Sequence, residues 1–516
     1  VSPTPPATTA PDPRALLARH FGYPAFRPGQ EELVRAAMAG RDALGVLPTG
    51  GGKSVCYQVP ALALGGLTLV ITPLISLMED QVRRAVAAGL RAAHMSAGQE
   101  AAVRRDTLER ARAGALDILF VAPERLSLAG FVEALGSEGI RLLAVDEAHC
   151  ISEWGHEFRP SYREIGRVRA LVRAPVLALT ATATPHVRTD VVASLSLRDP
   201  LVVVRSFDRP NLSWAVLRGG GYAERARRVG RLLRRVPGSA IVYAPTRQTV
   251  DDVRDALAGL GILTEAYHAG LAAAERTRVQ ETFMSGACRV VVATNAFGMG
   301  IDKADVRLVA HIQLPGTLEA YYQEAGRAGR DGKESWCVAF HGPEDGALAR
   351  GFTDRSHPPA EVLRAVHRAL RERADGSGEV RLEPAAAEEG LPGACAPDQL
   401  RGALLALARG GGLRILGDLG ALEVREAESQ AARQAQPLRV GVLPSARLAP
   451  ALALRQGALE KLGAVRRYAA TRGCRRRALL AYFGEEAPRR CGACDRCLGG
   501  ILRRASTPAQ ALWAGI

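Results

Sequence analysis

Lysine is almost missing: of the 68 basic residues only four are lysines, at positions 53, 303, 333 and 461, and the rest are arginines. A coding bias towards Arg and Ala explains such a skew as readily as a binding role does. Either way each surviving lysine is informative, because a compact ammonium and a planar guanidinium are not interchangeable. Aromatic residues are also scarce, at 5%, so any cluster of them stands out. No apolar run reaches the roughly 20 residues of a membrane span. The opening VSPTPPATTAPDP has neither a basic segment nor an apolar signal core, which predicts a cytoplasmic protein. Nine cysteines in 516 residues do not make a disulfide scaffold, and no internal repeat is present. Acidic residues are outnumbered, leaving a net charge of +15 that favours a polyanionic partner over a neutral metabolite.

What is present is 47% hydrophobic residues spread along a chain too long for one core, so two or three packed units are expected. After a Pro- and Thr-rich tail over 1–13, short apolar runs alternate with amphipathic stretches over 14–207. The runs end at Leu47, Thr72, Ala122, Val145 and Thr180. A second series over 208–345 has runs near Tyr243, Val291 and His311. Continuous apolar runs between helical segments predict parallel strands covered on both faces, hence two α/β lobes in tandem with a cleft between them. From 357 to 426 the order helix, short strand, short helix, longer helix, hairpin suggests a winged helix, with an irregular helical insert as the alternative. LRILGDLGALEVR supplies the expected hairpin. Leu459 to Phe483 reads as one further helical stretch.

LPTGGGKS follows a predicted strand and opens a predicted helix, the setting of a phosphate-binding loop. Thr49, Gly50, Gly51 and Gly52 let backbone N–H groups approach phosphate oxygens, Lys53 reaches the β and γ phosphates, and Ser54 can hold Mg²⁺. Leu47 stands five places before Gly52, where the general pattern has its first glycine. DEAH follows the run LLAV: Asp146 is placed to hold the metal and Glu147 to orient or deprotonate the attacking water. Arg327 and Arg330, in GRAGR, would start a helix and present two guanidinium groups to the transferring phosphoryl group; a solvated arginine face is the alternative. Trp154 and Phe158 offer flat surfaces for base stacking, with Arg159 adding charge and His156 polar character between them, unless the two rings belong to a core. Cys474, Cys491, Cys494 and Cys497 match a closed tetrahedral Zn²⁺ site, which would be structural. The remaining cysteines, at 56, 150, 288, 337 and 395, are scattered and read as buried or incidental.

These blocks, in this order, resemble the RecQ branch of superfamily 2 DNA helicases, from His20 to about Phe340 and again from Lys461 to Gly499. FGYPAFRPGQ resembles the family's adenine-reading segment, which implies base and ribose contacts for Tyr23, Arg27 and Gln30. LPTGGGKSVCYQVPAL resembles its phosphate loop, including Leu47. VVATNAFGMGIDKADVR is similar to motif V, implying a ribose contact for Asp302 and nucleic acid near Thr294. YYQEAGRAGRDG is similar to motif VI, implying that Arg330 is the principal arginine finger and Arg327 its companion. The stretch after DEAH resembles the aromatic-rich loop, and the C-terminal cysteines the zinc module.

The resemblance implies an α/β fold of two RecA-like parallel-sheet lobes (14–207 and 208–345) and a helical zinc-binding module at 455–500, with a tail at 501–516; the winged-helix insert at 357–426 rests on the element order alone and departs from the family's layout. More than a hundred residues separate the lobes from Cys474, whereas the family's zinc module follows its lobes closely. The implied activity is ATP- and Mg²⁺-dependent 3′ to 5′ unwinding of DNA in repair or recombination, on single-stranded DNA and tailed or forked duplexes, with Zn²⁺ as structural metal. If the source is bacterial, the protein would be associated with the nucleoid. The alternative is a DNA-stimulated translocase that remodels or anneals strands without efficient unwinding.

Overall fold

The structure is a computed structural model that describes residues 11–498 except 74, 97–98, 129, 156–157, 299–300, 302, 384–389 and 417–436. Among these residues the first lobe holds β1 Ala43–Val46, β2 Leu67–Ile71, β3 Ala92–Met95, β4 Ile118–Val121, β5 Ile140–Val145, β6 Val176–Thr180 and β7 Leu201–Val204. They form one parallel sheet in the order β3-β4-β2-β5-β6-β1-β7. β1, β2, β4 and β6 are buried at every position, as expected of parallel strands with helices on both faces. Asp42, just before β1, is buried and fully used. Its carboxylate accepts from the backbone N–H groups of Val176 and Arg198 and pairs with Arg169 at 3.0 Å, fixing where β1 and β6 begin.

The second lobe holds β8 Leu212–Arg218, β9 Ser239–Tyr243, β10 Glu265–Tyr267, β11 Val290–Ala293, β12 Val306–His311 and β13 Ser335–His341. This sheet is also parallel, in the order β10-β11-β9-β12-β13-β8. The helix Tyr222–Arg235 shows how the sequence builds it. Ala226, Val229, Leu232 and Leu233 are buried in the lobe's core, while the arginines between them, at 227, 231, 234 and 235, are exposed. Both lobes and residues 471 onward belong to one compact unit.

Residues 342–470, with 315–317, form a second compact unit, wider than the expected insert at 357–426. β14 Glu379–Leu382, β15 Leu413–Ile415 and β16 Leu438–Val442 make an antiparallel sheet in the order β14-β16-β15. Its core is closed by Leu363, Val366 and Leu370 from the helix Ala360–Arg373, and by Leu400, Leu404 and Leu407 from the helix Pro397–Arg409. The partner of Leu413–Ile415 is Leu438–Val442; the second strand expected in LRILGDLGALEVR, and most of its turn, lie outside the described residues. Leu459–Phe483 is not a single helix. The helix Ala449–Ala470 stops, and a second, Arg475–Tyr482, starts after the turn at Gly473 and Cys474. That break turns Cys474 towards the other three cysteines. Among the described residues no helix is long and apolar enough to cross a membrane.

Candidate functional site

β5, β6 and β1 are consecutive neighbours, so the loops leaving their carboxyl ends converge, where open α/β sheets place ligands. The loop after β1 carries Thr49 to Ser54 and leads into the helix Val55–Ala63. The loop after β5 carries Asp146 and Glu147, and that after β6 carries Thr182 and Thr184. Thr49 to Ser54, Asp146, Glu147, Arg327 and Arg330 line one cleft. The Lys53 ammonium lies 3.9 Å from Glu147 Oε1, both side chains largely shielded from solvent. Glu147 adopts φ 46° and ψ 47°, a left-handed conformation that a side-chain-bearing residue holds only when its surroundings impose it, as at strained functional positions. Buried His149 is part of those surroundings: its Nδ1 is 2.9 Å from Thr180 Oγ1 and 3.3 Å from Glu147 Oε2.

Burial, reinforced by the adjacent Glu147 charge, pushes the Asp146 carboxyl up to about 6. A cation beside this carboxylate would favour its charged form. Thr49 Oγ1, which lines the cleft, is buried without a hydrogen-bond partner, an arrangement that fits a polar ligand there. Gln30 donates its amide to the carbonyls of Gly51 and Gly52, at 2.9 Å each, and Arg27 donates to that of Gly50. The two residues therefore brace the phosphate loop from the adenine-reading segment. Tyr23 is half exposed.

Arg327 and Arg330 do not begin a helix. The helix Leu318–Ala325 ends before them, and residues 326–330 form a turn. Gly326 and Gly329 explain it. A Cβ on Gly326 would sit 2.9 Å from the Tyr322 carbonyl and 3.3 Å from the Thr49 side chain, so the turn approaches the phosphate loop more closely than any other residue permits. Gly329 has φ 54°, and a Cβ there would lie 2.4 Å from Asn211 Nδ2. The turn thus delivers Arg330 across the cleft: a Cβ on Gly50 would be 3.6 Å from Arg330 Cγ. Arg327 is 6% exposed and donates to the Gly298 carbonyl.

Beyond the cleft, Trp154 is part-buried with its ring edge-on to His186 at 5.2 Å. Ser152, two residues earlier, donates to Asp190. Both partners sit on the helix Pro185–Ser194 that follows the β6 loop, started by the Thr184 cap and Pro185. Phe158 is part-buried under the Arg163 guanidinium at 5.5 Å, and Arg159 donates to the Pro73 carbonyl at 2.9 Å. Tyr162 closes the stretch by donating to the Asp146 carbonyl at 2.9 Å, a link to the cleft that the sequence reading missed. Thr294 follows β11 and is part-buried. His156 and Asp302 lie outside the described residues.

Cys474, Cys491, Cys494 and Cys497 present their sulfurs within 4.8 Å of one another. Sγ separations of 3.9 Å (491 to 497) and 4.0 Å (494 to 474) are far beyond a disulfide bond. They approach the ~3.8 Å edge of a tetrahedron with zinc–sulfur bonds near 2.3 Å. Backbone N–H groups of Arg475 and Cys497 point at Cys494 Sγ at 3.4 Å, and that of Cys491 at Cys497 Sγ at 3.3 Å, which favours thiolates. Cys56, Cys150, Cys288 and Cys337 are buried singly, and Cys395 partly so.

Two lobes sharing a nucleotide cleft define the helicase class, and family comparisons agree. The DEAD/DEAH box helicase family matches residues 27–191 and the helicase conserved C-terminal domain matches 224–332. A third family, RecQ zinc-binding, matches 447–498. The chain is 43% identical to the ATP-dependent DNA helicase RecQ of Pasteurella multocida over 68% of its own length and 56% of that protein's. It is 39% identical to a Bacillus subtilis protein described as a probable ATP-dependent DNA helicase RecS, over 73% of this chain and 76% of that one. The chain belongs to the RecQ family. It spans little more than half the length of the RecQ proteins of P. multocida and Haemophilus influenzae. In fold it is similar to Mycobacterium smegmatis Lhr, solved bound to ssDNA and AMP-PNP (TM-score 0.52, 22% identity, 84% of this chain and 61% of that one). The cleft and the cysteine cluster fit ATP with Mg²⁺ and Zn²⁺ respectively.

Proposed function

We propose that this chain is an ATP-dependent DNA helicase that moves 3′ to 5′ on single-stranded DNA and unwinds tailed or forked duplexes in repair or recombination, in the cytoplasm at the nucleoid. The observation that carries the reading is Arg330 of the far lobe lying against Gly50 of the phosphate loop, over the cleft that holds Lys53, Asp146 and Glu147. Relatives named as DNA helicases favour unwinding over strand remodelling alone.

Mg²⁺-bound ATP would supply the phosphoryl group transferred to water. Lys53 and the N–H groups of Gly50 to Gly52 would hold the phosphates, Ser54 and Asp146 would hold the metal, and Glu147 would orient or deprotonate the attacking water. Gln30, Arg27, Tyr23 and Asp302 hold the base and ribose. Arg330, with Arg327 beside it, neutralises charge developing on the γ oxygens and so joins cleft closure to turnover. Trp154, His156, Phe158, Arg159 and Thr294 hold the strand, and Tyr162 passes its engagement to Asp146. We read 14–207 and 208–345 as the lobes and the strand–helix order around β14 to β16 as a winged helix, with the cysteines forming a structural zinc module.

Strand displacement on 3′-tailed, 5′-tailed and forked duplexes tests the reading, with Lys53→Ala beside the native chain. Unwinding of 3′-tailed and forked substrates is expected, with turnover and unwinding both lost in Lys53→Ala. A preference for 5′ tails, or turnover retained in the variant, refutes it; turnover without displacement selects the translocase alternative. Trp154→Ala is expected to weaken single-stranded DNA binding by roughly 5- to 150-fold, the equivalent of about 1–3 kcal/mol of lost stacking on one base, and to lower DNA-stimulated turnover accordingly. Unchanged DNA affinity in a fluorescence-anisotropy titration contradicts that assignment.

A further inference from the structure

We infer that Arg209 is a positioning residue that sets the arginine-bearing turn of the far lobe against the phosphate loop of the near lobe. The inference rests on the helicase reading of the cleft. Arg209 lies in the link between β7 and β8, where no sequence motif singles it out. Its Nη2 donates to the carbonyls of Ala328 and Gly329, at 2.9 Å each. Its Nη1 donates to the Gly326 carbonyl at 3.2 Å and, at 3.5 Å, to that of Thr49. One planar guanidinium therefore gathers three carbonyls from the turn that carries Arg327 and Arg330, and one from the loop that leads to Lys53. Asn211 grips the same turn, donating to the carbonyls of Gly329 and Lys333 at 2.8 and 2.9 Å.

The backbone on both sides of Arg209 is anchored, so the side chain acts from a fixed base. Phe207 stacks on Phe483 at 4.4 Å, and its N–H donates to Glu485 at 2.7 Å. Ser206 Oγ donates to the same carboxylate at 2.5 Å. Tyr322, on the helix that runs into the arginine turn, donates to the Phe207 carbonyl at 2.8 Å. Arg476 donates to the carbonyls of Pro210 and Leu212 at 2.9 and 3.0 Å. Phe483, Glu485 and Arg476 all belong to the cysteine module. The contact with Thr49 is the longest of Arg209's four, and the other three all go to the arginine-bearing turn. Of the positions assigned to the nucleotide, Arg209 touches only Thr49, and that through its main-chain carbonyl. Its effect is on where Arg330 stands, and a lysine, with a point charge in place of a fork, cannot reproduce it.

The test compares Arg209→Ala and Arg209→Lys with the native full-length chain. The measurements are DNA-stimulated turnover, affinity for a fluorescent ADP, affinity for ADP–beryllium fluoride, zinc content and thermal midpoint. A catalytic group displaced by about 1 Å costs roughly 100-fold, so kcat is expected to fall about 10- to 100-fold in both variants. KM and ADP affinity should stay within about threefold, and the preference for ADP–beryllium fluoride over ADP should shrink, with zinc content and thermal midpoint retained. Native-like turnover and preference in either variant overturn the inference. So does a parallel loss of ADP affinity, zinc and stability in Arg209→Lys, which would make the residue part of the fold; should Arg209→Ala not fold, Arg209→Lys decides. If the native chain itself does not turn over ATP, the helicase reading fails separately, and the nucleotide preference still decides the role of Arg209.

Discussion

Arg330→Ala is expected to lower DNA-stimulated ATP turnover by about 10³-fold or more while ADP affinity changes little. The argument is one of placement. In the proposed reading ADP would be held by the loop from Thr49 to Ser54 and by Gln30 and Arg27, all in the near lobe, and the bonds of Gln30 and Arg27 to that loop do not involve the far lobe. Arg330 enters only across the cleft, beside Gly50, from a turn shaped by Gly326 and Gly329. Its contribution therefore grows as charge spreads over the γ oxygens, which is transition-state stabilisation and appears in kcat. Arg327→Ala is expected to act differently. Its guanidinium is buried and bonded to the Gly298 carbonyl, so part of its loss reflects disturbance of the loop after β11. Single-turnover hydrolysis with separate ADP titrations distinguishes the two. If Arg330→Ala keeps more than about a tenth of native turnover, far below the loss an arginine finger gives, a second-lobe arginine does not complete the site.

The parts of this site that were legible in the sequence are those whose chemistry is carried by side chains in sequence. GGGKS and DEAH each sit at the end of a continuous apolar run, and a run buried on both faces is recognisable without its neighbours. What the runs could not say is that β5, β6 and β1 lie side by side. Strand order is a tertiary property, as is the left-handed Glu147, which buried His149 and Thr180 hold in place. GRAGR was misread as structure: the helix formers of YYQEA lead into the arginines, but the close approach to Thr49 requires the chain to turn at Gly326. Arg209 was invisible because its partners are main-chain carbonyls, which every residue possesses. The pairing within the insert was hidden for a related reason. Alternation marks Leu413–Ile415 as a strand, yet nothing local identifies Leu438–Val442 as its partner.

Replacing one zinc ligand, as in Cys494→Ser, is expected to abolish stoichiometric zinc binding and to disturb the cleft as well as the module. Cys494 is fully buried and accepts N–H contacts from Arg475 and Cys497, so a serine there keeps the donors but removes the soft thiolate on which a four-sulfur site depends. In peptides that fold only with metal, zinc contributes roughly 10–16 kcal/mol. Here Leu479, Leu480 and Phe483 are buried by the protein as well, so the expected loss is a fraction of that, on the order of several kcal/mol. The effect should not stay local. Arg475, beside Cys474, pairs with Asp495, which follows Cys494 and whose carboxylate accepts from the Val216 N–H of β8; Arg476 on the helix Arg475–Tyr482, with Phe483 and Glu485 just after it, holds the link that carries Arg209. Zinc content measured by a chelator dye, limited proteolysis over 471–498 and ATP turnover should therefore fall together in Cys494→Ser. A variant that loses zinc yet keeps native turnover would show that the link is held without the metal; one that keeps stoichiometric zinc would show that these four thiols are not its ligands.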